Sequence, residues 1–169
     1  MELMILGKNY TVVEERSNKD SVEIKDDKIL VLTNKKPPSV LLKEFLEDLL
    51  LSQLYKIYDQ IKDRKIIDIF GDLDFEVVEK IDNKKERVAK LKGNKILVKL
   101  NAISLPKSVL KYVVTHEIAH IVTKRHTKKF WNTVELLCSD FKRSQDFLSE
   151  YSDLLIKPID FKSKVWCLE

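Results

Sequence analysis

Residues 113–131, VVTHEIAHIVTKRHTKKFW, contain every histidine of the 169-residue chain. His116 and His120 are four residues apart, so on a helix they stand one turn apart on the same face. Glu117 follows the first histidine and projects about a quarter turn away from it. Two imidazoles at this spacing can chelate one zinc ion, and the carboxylate can reach a nearby water molecule without binding the ion. We therefore predict a helix that carries His116 and His120 as metal ligands and Glu117 as a general base.

The histidine at 126 is the natural candidate for a third ligand, because a catalytic zinc site usually has three protein ligands and one open position. His126 lies six residues after His120, and six steps of about 100° would point it away from the metal on a continuous helix. The helix must therefore end between the two. The β-branched Val122 and Thr123 weaken a helix slightly, and Thr127 can cap a second one. We predict that His126 is the third ligand, at the corner between two helices.

Two alternatives to this ligand set are open. Glu135 and Asp140 follow on the predicted second helix, and either can replace His126 as the third ligand. The other alternative is a structural cluster without metal, since a single histidine on an apolar helix face is more often a hydrogen-bonded core residue. Two histidines four residues apart with a glutamate between them favour the metal. The predicted second helix has an apolar stripe that comprises Phe130, Trp131, Val134, Leu137, Cys138 and Phe141.

The segment before the histidines predicts a strand followed by a buried helix. Residues 94–101, NKILVKLN, alternate between apolar and polar side chains, as in a strand with one buried face. Pro106 stands at the start of the helix, where its missing N–H costs nothing. Apolar residues cover more than half of the circumference of that helix, which indicates burial. The predicted core residues are Ile96, Val98 and Leu100 in the strand, opposite Lys95, Lys99 and Asn101, and Val109, Leu110, Val113, Val114, Ile118 and Ile121 in the helix.

The first half of the chain predicts strands and one long helix. Residues 3–15 and 21–33 predict strands, the second of them folded into a hairpin near Asp26. From Ser39 to about Lys62, apolar residues recur at helical spacing, with Ser39 as the N-cap. Short strands are also predicted at 66–69 and 74–80, and a charged hairpin at 80–95. We predict a single domain, 1–169, whose strands and long helix at 1–64 precede a zinc-binding core at 65–169.

Composition indicates a globular protein. Hydrophobic residues make up 44% and charged residues 34%, enough apolar material for a core. The net charge of +4 comes from lysine runs that do not interleave with aromatic residues, so it indicates a solvated surface rather than a nucleic-acid footprint. Cys138 fits the core, and Cys167 near the terminus makes no disulfide framework with it. Without a signal-peptide pattern or a run able to span a bilayer, we expect a soluble cytoplasmic protein with no membrane partner.

The residues around the histidines resemble the YgjP-like zinc metallopeptidase family. The family pattern is a proline-led helix with Tyr-Val-Val and H-E-L-x-H, a short basic turn, and His-Ser-x-x-Phe-Trp. The strong resemblance extends over 94–131, and SprT-like proteases share its histidine scheme. An Arg-Trp-Gly-Ser-Cys-like segment typical of the family is replaced here by ERVAKLKGNK, which keeps Arg87. The matching residues are Tyr112, Val113, Val114, His116, Glu117, His120, His126, Thr127, Phe130 and Trp131.

This resemblance implies an α+β, zincin-like fold. The HExxH helix is expected to pack on a small antiparallel or mixed sheet, preceded by an N-terminal hairpin and a long helix. The implied activity is hydrolysis of peptide bonds with Zn²⁺ as the cofactor and a peptide or protein as the substrate. An edge strand beside the active helix would bind the extended substrate, and 94–101 is the predicted edge. Tyr112, Arg125 and Tyr151 are the predicted alternatives for a further group that stabilises the transition state.

Two other functions compete with this interpretation. A SprT-like protease would act on proteins associated with nucleic acid, and it would bind DNA in a salt-dependent way. A zinc-stabilised module that only binds a partner protein would keep the metal but would not need Glu117. The presence of that glutamate favours the enzyme.

Overall fold

The computed structural model describes residues 1–67, 72–84, 87–150 and Ile159. This part of the chain has a mixed α+β architecture, with four α-helices and two small mixed sheets. The elements are β1 (Glu2–Ile5), β2 (Lys8–Arg16), β3 (Ser21–Lys25), β4 (Lys28–Thr33), α1 (Pro38–Asp63), β5 (Asp74–Val78), β6 (Ala89–Lys92), β7 (Lys95–Lys99), a 3-10 helix (Leu100–Ser104), α2 (Lys107–Val122), α3 (Lys128–Leu137) and α4 (Phe141–Glu150).

The N-terminal sheet has the strand order β1-β2-β4-β3. Strand β2 pairs in parallel with β4, whereas β1 with β2 and β3 with β4 form antiparallel hairpins. The predicted hairpin turn near Asp26 is confirmed, and this residue has a positive φ of 56°. The prediction of one strand over 3–15 is wrong. Leu6 and Gly7 have φ values of 50° and 83° and form a tight turn, as two residues with positive φ do in a two-residue hairpin loop.

Helix α1 confirms the predicted long amphipathic helix, but its start differs from the prediction. The N-cap is Pro37 rather than Ser39, and Ser39 lies within the first turn. Pro38 opens the helix because its fixed φ suits the first turn and its missing N–H would have no partner there. The face toward the core repeats leucine every four residues, and all four of these side chains are fully buried: Leu42, Leu46, Leu50 and Leu54.

The second sheet has the strand order β5-β7-β6, so β7 is its central strand. β7 pairs in parallel with β5 and in an antiparallel hairpin with β6. The predicted strand is confirmed for Lys95–Lys99, with Ile96 and Val98 fully buried. The prediction that 94–101 is an edge strand is wrong, because both of its sides are paired. The edge strand in contact with α2 is β6.

Several predictions around this sheet need correction. Lys99, predicted on the polar face, is 5% exposed, and its Nζ donates to the backbone oxygen of Lys84 at 2.8 Å. Leu100 and Asn101 leave the strand and begin the 3-10 helix. The predicted strand 74–80 ends at Val78. For the predicted strand 66–69, Ile66 and Ile67 form a bend, and residues 68–69 lie outside the described part of the chain. The sequence predicts a hairpin at 80–95, and the structure has one formed by β6 and β7, which begins at Ala89 and continues to Lys99.

The turn between β1 and β2 packs against the residues that lead into α2. The backbone N–H groups of Leu6 and Gly7 donate to the oxygens of Ile103 and Ser104 at 2.6 and 3.0 Å. A Cβ on Gly7 would lie 3.2 Å from Cγ of Pro106, the N-cap of α2. The N-terminal sheet therefore fixes the entry of the helix that carries the first two histidines.

Helix α2 is buried on most of its surface. Leu110, Val114 and Ile118 are fully buried in the main core together with the side chains of α1 and β7. Its other side packs against α3 in a second cluster that includes Phe130 and Cys138, as predicted for these two residues. Ile121, predicted in the core, is 37% exposed near the end of the helix. None of the helices in the described part of the chain is long and apolar enough to cross a membrane.

Candidate metal centre

A break between α2 and α3 brings the third histidine back toward the first two. Helix α2 ends at Val122, and Thr123 adopts an extended conformation with φ −150°. Helix α3 begins after Thr127, whose side chain accepts a hydrogen bond from the N–H of Phe130 at 3.4 Å. Both the helix break and the N-cap are confirmed as predicted. The short segment between the helices places His126 beside the end of α2.

The three histidines form one group with the geometry of a metal site. One ring nitrogen from each of His116, His120 and His126 lies within 4.8 Å of the other two. The Nε2 atoms of His116 and His126 are 3.4 Å apart. Two nitrogens that are each about 2.05 Å from a tetrahedral zinc ion are separated by about 3.3 Å. The nitrogens of His116 and His126 therefore have the spacing of two ligands of one zinc ion, and His120 is close enough to be the third.

Contacts around the rings hold them in this arrangement. Nδ1 of His120 lies 3.3 Å from the backbone oxygen of Thr123. In the tautomer with the proton on Nδ1, this nitrogen donates to that oxygen, and Nε2 is the nitrogen that can bind a metal. The ring of the fully buried Phe130 contacts all three imidazoles, with centroid distances of 5.0 Å to His116, 4.6 Å to His120 and 4.9 Å to His126. From sequence, Phe130 is only one position in an apolar stripe. In the structure, it is the wall against which the histidines pack.

Desolvation keeps the half-buried imidazoles of His116 and His120 neutral. Burial lowers the pKa of His116 to about 4, with smaller contributions from His120, His126 and Arg87. Burial also lowers the pKa of His120. Neutral imidazole is the form that binds metal, so both rings are in the ligand state at neutral pH.

Glu117 is buried at the edge of the same site. It is 8% exposed, and its Oε2 accepts a hydrogen bond from the backbone N–H of Leu91 in β6 at 2.9 Å. Burial raises the pKa of this carboxyl to about 7, against the opposing effects of the Leu91 hydrogen bond and the charge of Arg87. A carboxyl with a pKa near neutrality can both accept and return a proton, as a general base must.

A cavity of about 250 Å³ opens over the histidines. The three histidines and Glu117 line it together with Arg87–Ala89, the segment that leads into β6. Tyr112, Val113 and Leu148 complete the lining, so the residues other than the histidines, Glu117 and Arg87 are largely apolar. Sequence reasoning kept Arg87 only as a surviving family residue and did not include Leu148. Nothing in the local spacing relates positions 87 and 148 to the histidines.

The other predicted site residues lie elsewhere. Glu135 is exposed on α3, and Asp140 accepts a hydrogen bond from Sγ of Cys138 at 3.4 Å. Among the described residues, neither belongs to the metal-binding group. Tyr112 is 4% exposed and lines the cavity, and Arg125 is exposed to solvent. The predictions for Tyr151 and Cys167 concern residues outside the described part of the chain.

Comparison with known proteins gives one match. A family model described as YgjP-like, metallopeptidase domain, matches residues 1–151. No curated protein and no solved structure matches the chain. The family match confirms the resemblance carried by the residues around the histidines. It also extends that resemblance from 94–131 to the N-terminal sheet and α1.

Proposed function

The chain belongs to the YgjP-like family, and we propose that it is a zinc-dependent metallopeptidase with His116, His120 and His126 as ligands and Glu117 as the general base. One observation carries this proposal: three imidazole nitrogens within 4.8 Å of one another share a cavity with a buried carboxylate. A peptidase needs both parts. A module that only binds a partner protein has no use for a carboxylate whose burial disfavours its charged form.

The roles of the protein residues follow from their positions. The chemistry that zinc supplies when bound is polarisation of a carbonyl group and acidification of a water molecule. Glu117 accepts the proton of the attacking water and then delivers it to the leaving amine. The N–H of Leu91 holds the carboxylate in place at 2.9 Å.

Strand β6 takes the substrate-aligning role first predicted for 94–101. In its antiparallel pairing with β7, alternate residues direct their backbone groups toward β7 and away from it. The N–H of Leu91 points away from β7, because it donates to Glu117. Ala89, two residues earlier, therefore directs its backbone groups the same way, and it lines the cavity. An extended peptide can pair with this edge and bring a carbonyl carbon over the histidines.

The test of the proposed function is zinc-dependent cleavage of a fluorogenic peptide library. We expect cleavage that a chelator removes and added zinc restores. Glu117→Gln is expected to keep zinc and lose at least a hundredfold in rate, because general base catalysis contributes about 10²–10⁴-fold. Full activity of this variant would exclude Glu117 as the base. Action on nucleic-acid-associated proteins and a cytoplasmic location stay predictions, and salt-dependent DNA binding is the test of the first.

A further inference from the structure

Arg87 brings a fixed positive charge to the lining of the cavity that contains the three histidines and Glu117. Among the residues that line this cavity in the described part of the chain, it is the only arginine or lysine. It lies two residues before β6, the edge strand that contacts the histidine helix. Arg87 shares this cavity with the three histidines and Glu117, where a substrate carbonyl would lie under the proposed function.

Contacts with Lys84 and Asp82 anchor Arg87 in the lining of the cavity. Its backbone N–H donates to the oxygen of Lys84 at 3.3 Å. Its NH1 atom lies 3.5 Å from Oδ2 of Asp82, and that carboxylate also binds Nζ of Lys90. The side chain is 40% exposed, so it is anchored on one side and still has donors available to a ligand.

We propose that the Arg87 guanidinium donates hydrogen bonds to the oxygen of the scissile carbonyl as that oxygen becomes anionic. This inference rests on the proposed function. Of the donors considered from sequence, Arg125 is exposed and absent from the cavity lining, and Tyr112 is almost fully buried. The cavity lining next to Arg87 is apolar, and it suits an uncharged side chain of the substrate. Such a side chain offers no anionic group to the guanidinium, so we assign the guanidinium to the backbone oxygen.

The test uses phenylphosphonate, whose tetrahedral anionic oxygens mimic the reacting carbonyl. The zinc-loaded protein and three variants, Arg87→Met, Arg87→Lys and Arg143→Met, are titrated by calorimetry. Arg143 is an exposed arginine on α4 and serves as the matched control. We expect binding at least tenfold weaker for Arg87→Met, intermediate binding for the lysine variant and unchanged binding for the control. Zinc content and far-ultraviolet circular dichroism are expected to be the same in all four proteins.

Kinetics provides a second readout on any peptide that the native enzyme cleaves. Removal of one donor to a developing anionic oxygen lowers kcat by about 10²–10³-fold, and we expect KM of Arg87→Met to change only severalfold. Unchanged phenylphosphonate binding would overturn the proposal, as would a loss confined to KM for acidic peptides. A native protein that binds no zinc, or a Glu117→Gln variant that stays active, would instead show that the proposed function has failed.

Discussion

In the metal-free protein at alkaline pH, the Glu117→Gln variant is expected to have a higher free energy of unfolding than the native protein. Glu117 is 8% exposed, and burial raises its pKa from its usual 4.5 to about 7. The folded state therefore binds this proton more tightly than the unfolded state does. The stabilisation is fully present below pH 4.5 and is lost as pH rises through 7. Glutamine keeps an oxygen for the Leu91 N–H and carries no charge, so the variant avoids this loss.

The size of the effect follows from the two pKa values. Each pH unit between them is worth about 1.4 kcal/mol, so the variant gains roughly 3 kcal/mol at pH 8 and less than about 1 kcal/mol at pH 5. For a chain of this length, 1 kcal/mol shifts Tm by about 2–4 °C, which predicts a rise of roughly 6–12 °C at pH 8. The assay is thermal unfolding in the presence of a chelator at both pH values. The histidines are common to both proteins, so their titration largely cancels.

Glu135→Gln is the matched control, because Glu135 is an exposed glutamate on α3. We expect it to change the free energy of unfolding by no more than about 0.5 kcal/mol at either pH. If Glu117→Gln were no more stable than the native protein at pH 8, the carboxylate would not be desolvated. The electrostatic argument for its role as a base would then lose its support.

Two further predictions test the scaffold of the site. Thr127→Ala removes the side-chain acceptor of the Phe130 N–H, and loss of such an N-cap costs about 1 kcal/mol. Because His126 precedes Thr127, zinc affinity measured by chelator competition is expected to fall roughly fivefold, and unchanged affinity would contradict the argument. Gly7→Ala is expected to lower the free energy of unfolding by roughly 1 kcal/mol more than Gly93→Ala does. Both glycines have positive φ, but only a Cβ at Gly7 meets Pro106; equal losses in chemical denaturation would show that this contact has no energetic effect.

The parts of the site that sequence predicted are those fixed by local spacing. His116 and His120 are four positions apart and so share a helix face, and the step of six positions from His120 to His126 requires a break in the helix. The structure has that break, with Thr127 as the N-cap of the following helix. The long helix α1 and the two hairpins at Asp26 and Gly93 are likewise set by short-range patterns.

The features that sequence missed depend on long-range arrangement. Alternation in 94–101 identifies a strand but cannot tell whether it is central or at an edge, because that depends on pairing with β5 and β6. Lys99 is buried because a loop carbonyl, that of Lys84, meets its ammonium group. Arg87 and Leu148 enter the cavity through the packing of β6 and α4 against α2, and no spacing to the histidines indicates this.

The prediction of one strand over 3–15, at the start of the first sheet, failed for a different reason. Residues 3–6 are all apolar, and apolar residues recur at Tyr10, Val12 and Val13, so the pattern favours a strand and does not mark the turn within it. The turn at Leu6 and Gly7 needs positive φ at both positions, and the leucine gives no signal for that conformation. The glycine is the signal that was available, and its close approach to Pro106 shows why a side chain is excluded there.

Metal content is the most direct test of the central claim that the three histidines form one zinc site. Plasma mass spectrometry is applied to protein purified without a His-tag or chelator, for the native chain and for His126→Ala. We expect about one zinc ion per native chain and a sharply reduced content in the variant. A native chain with no stoichiometric metal after zinc is added back would contradict the account. Full zinc retention by His126→Ala would remove His126 from the site.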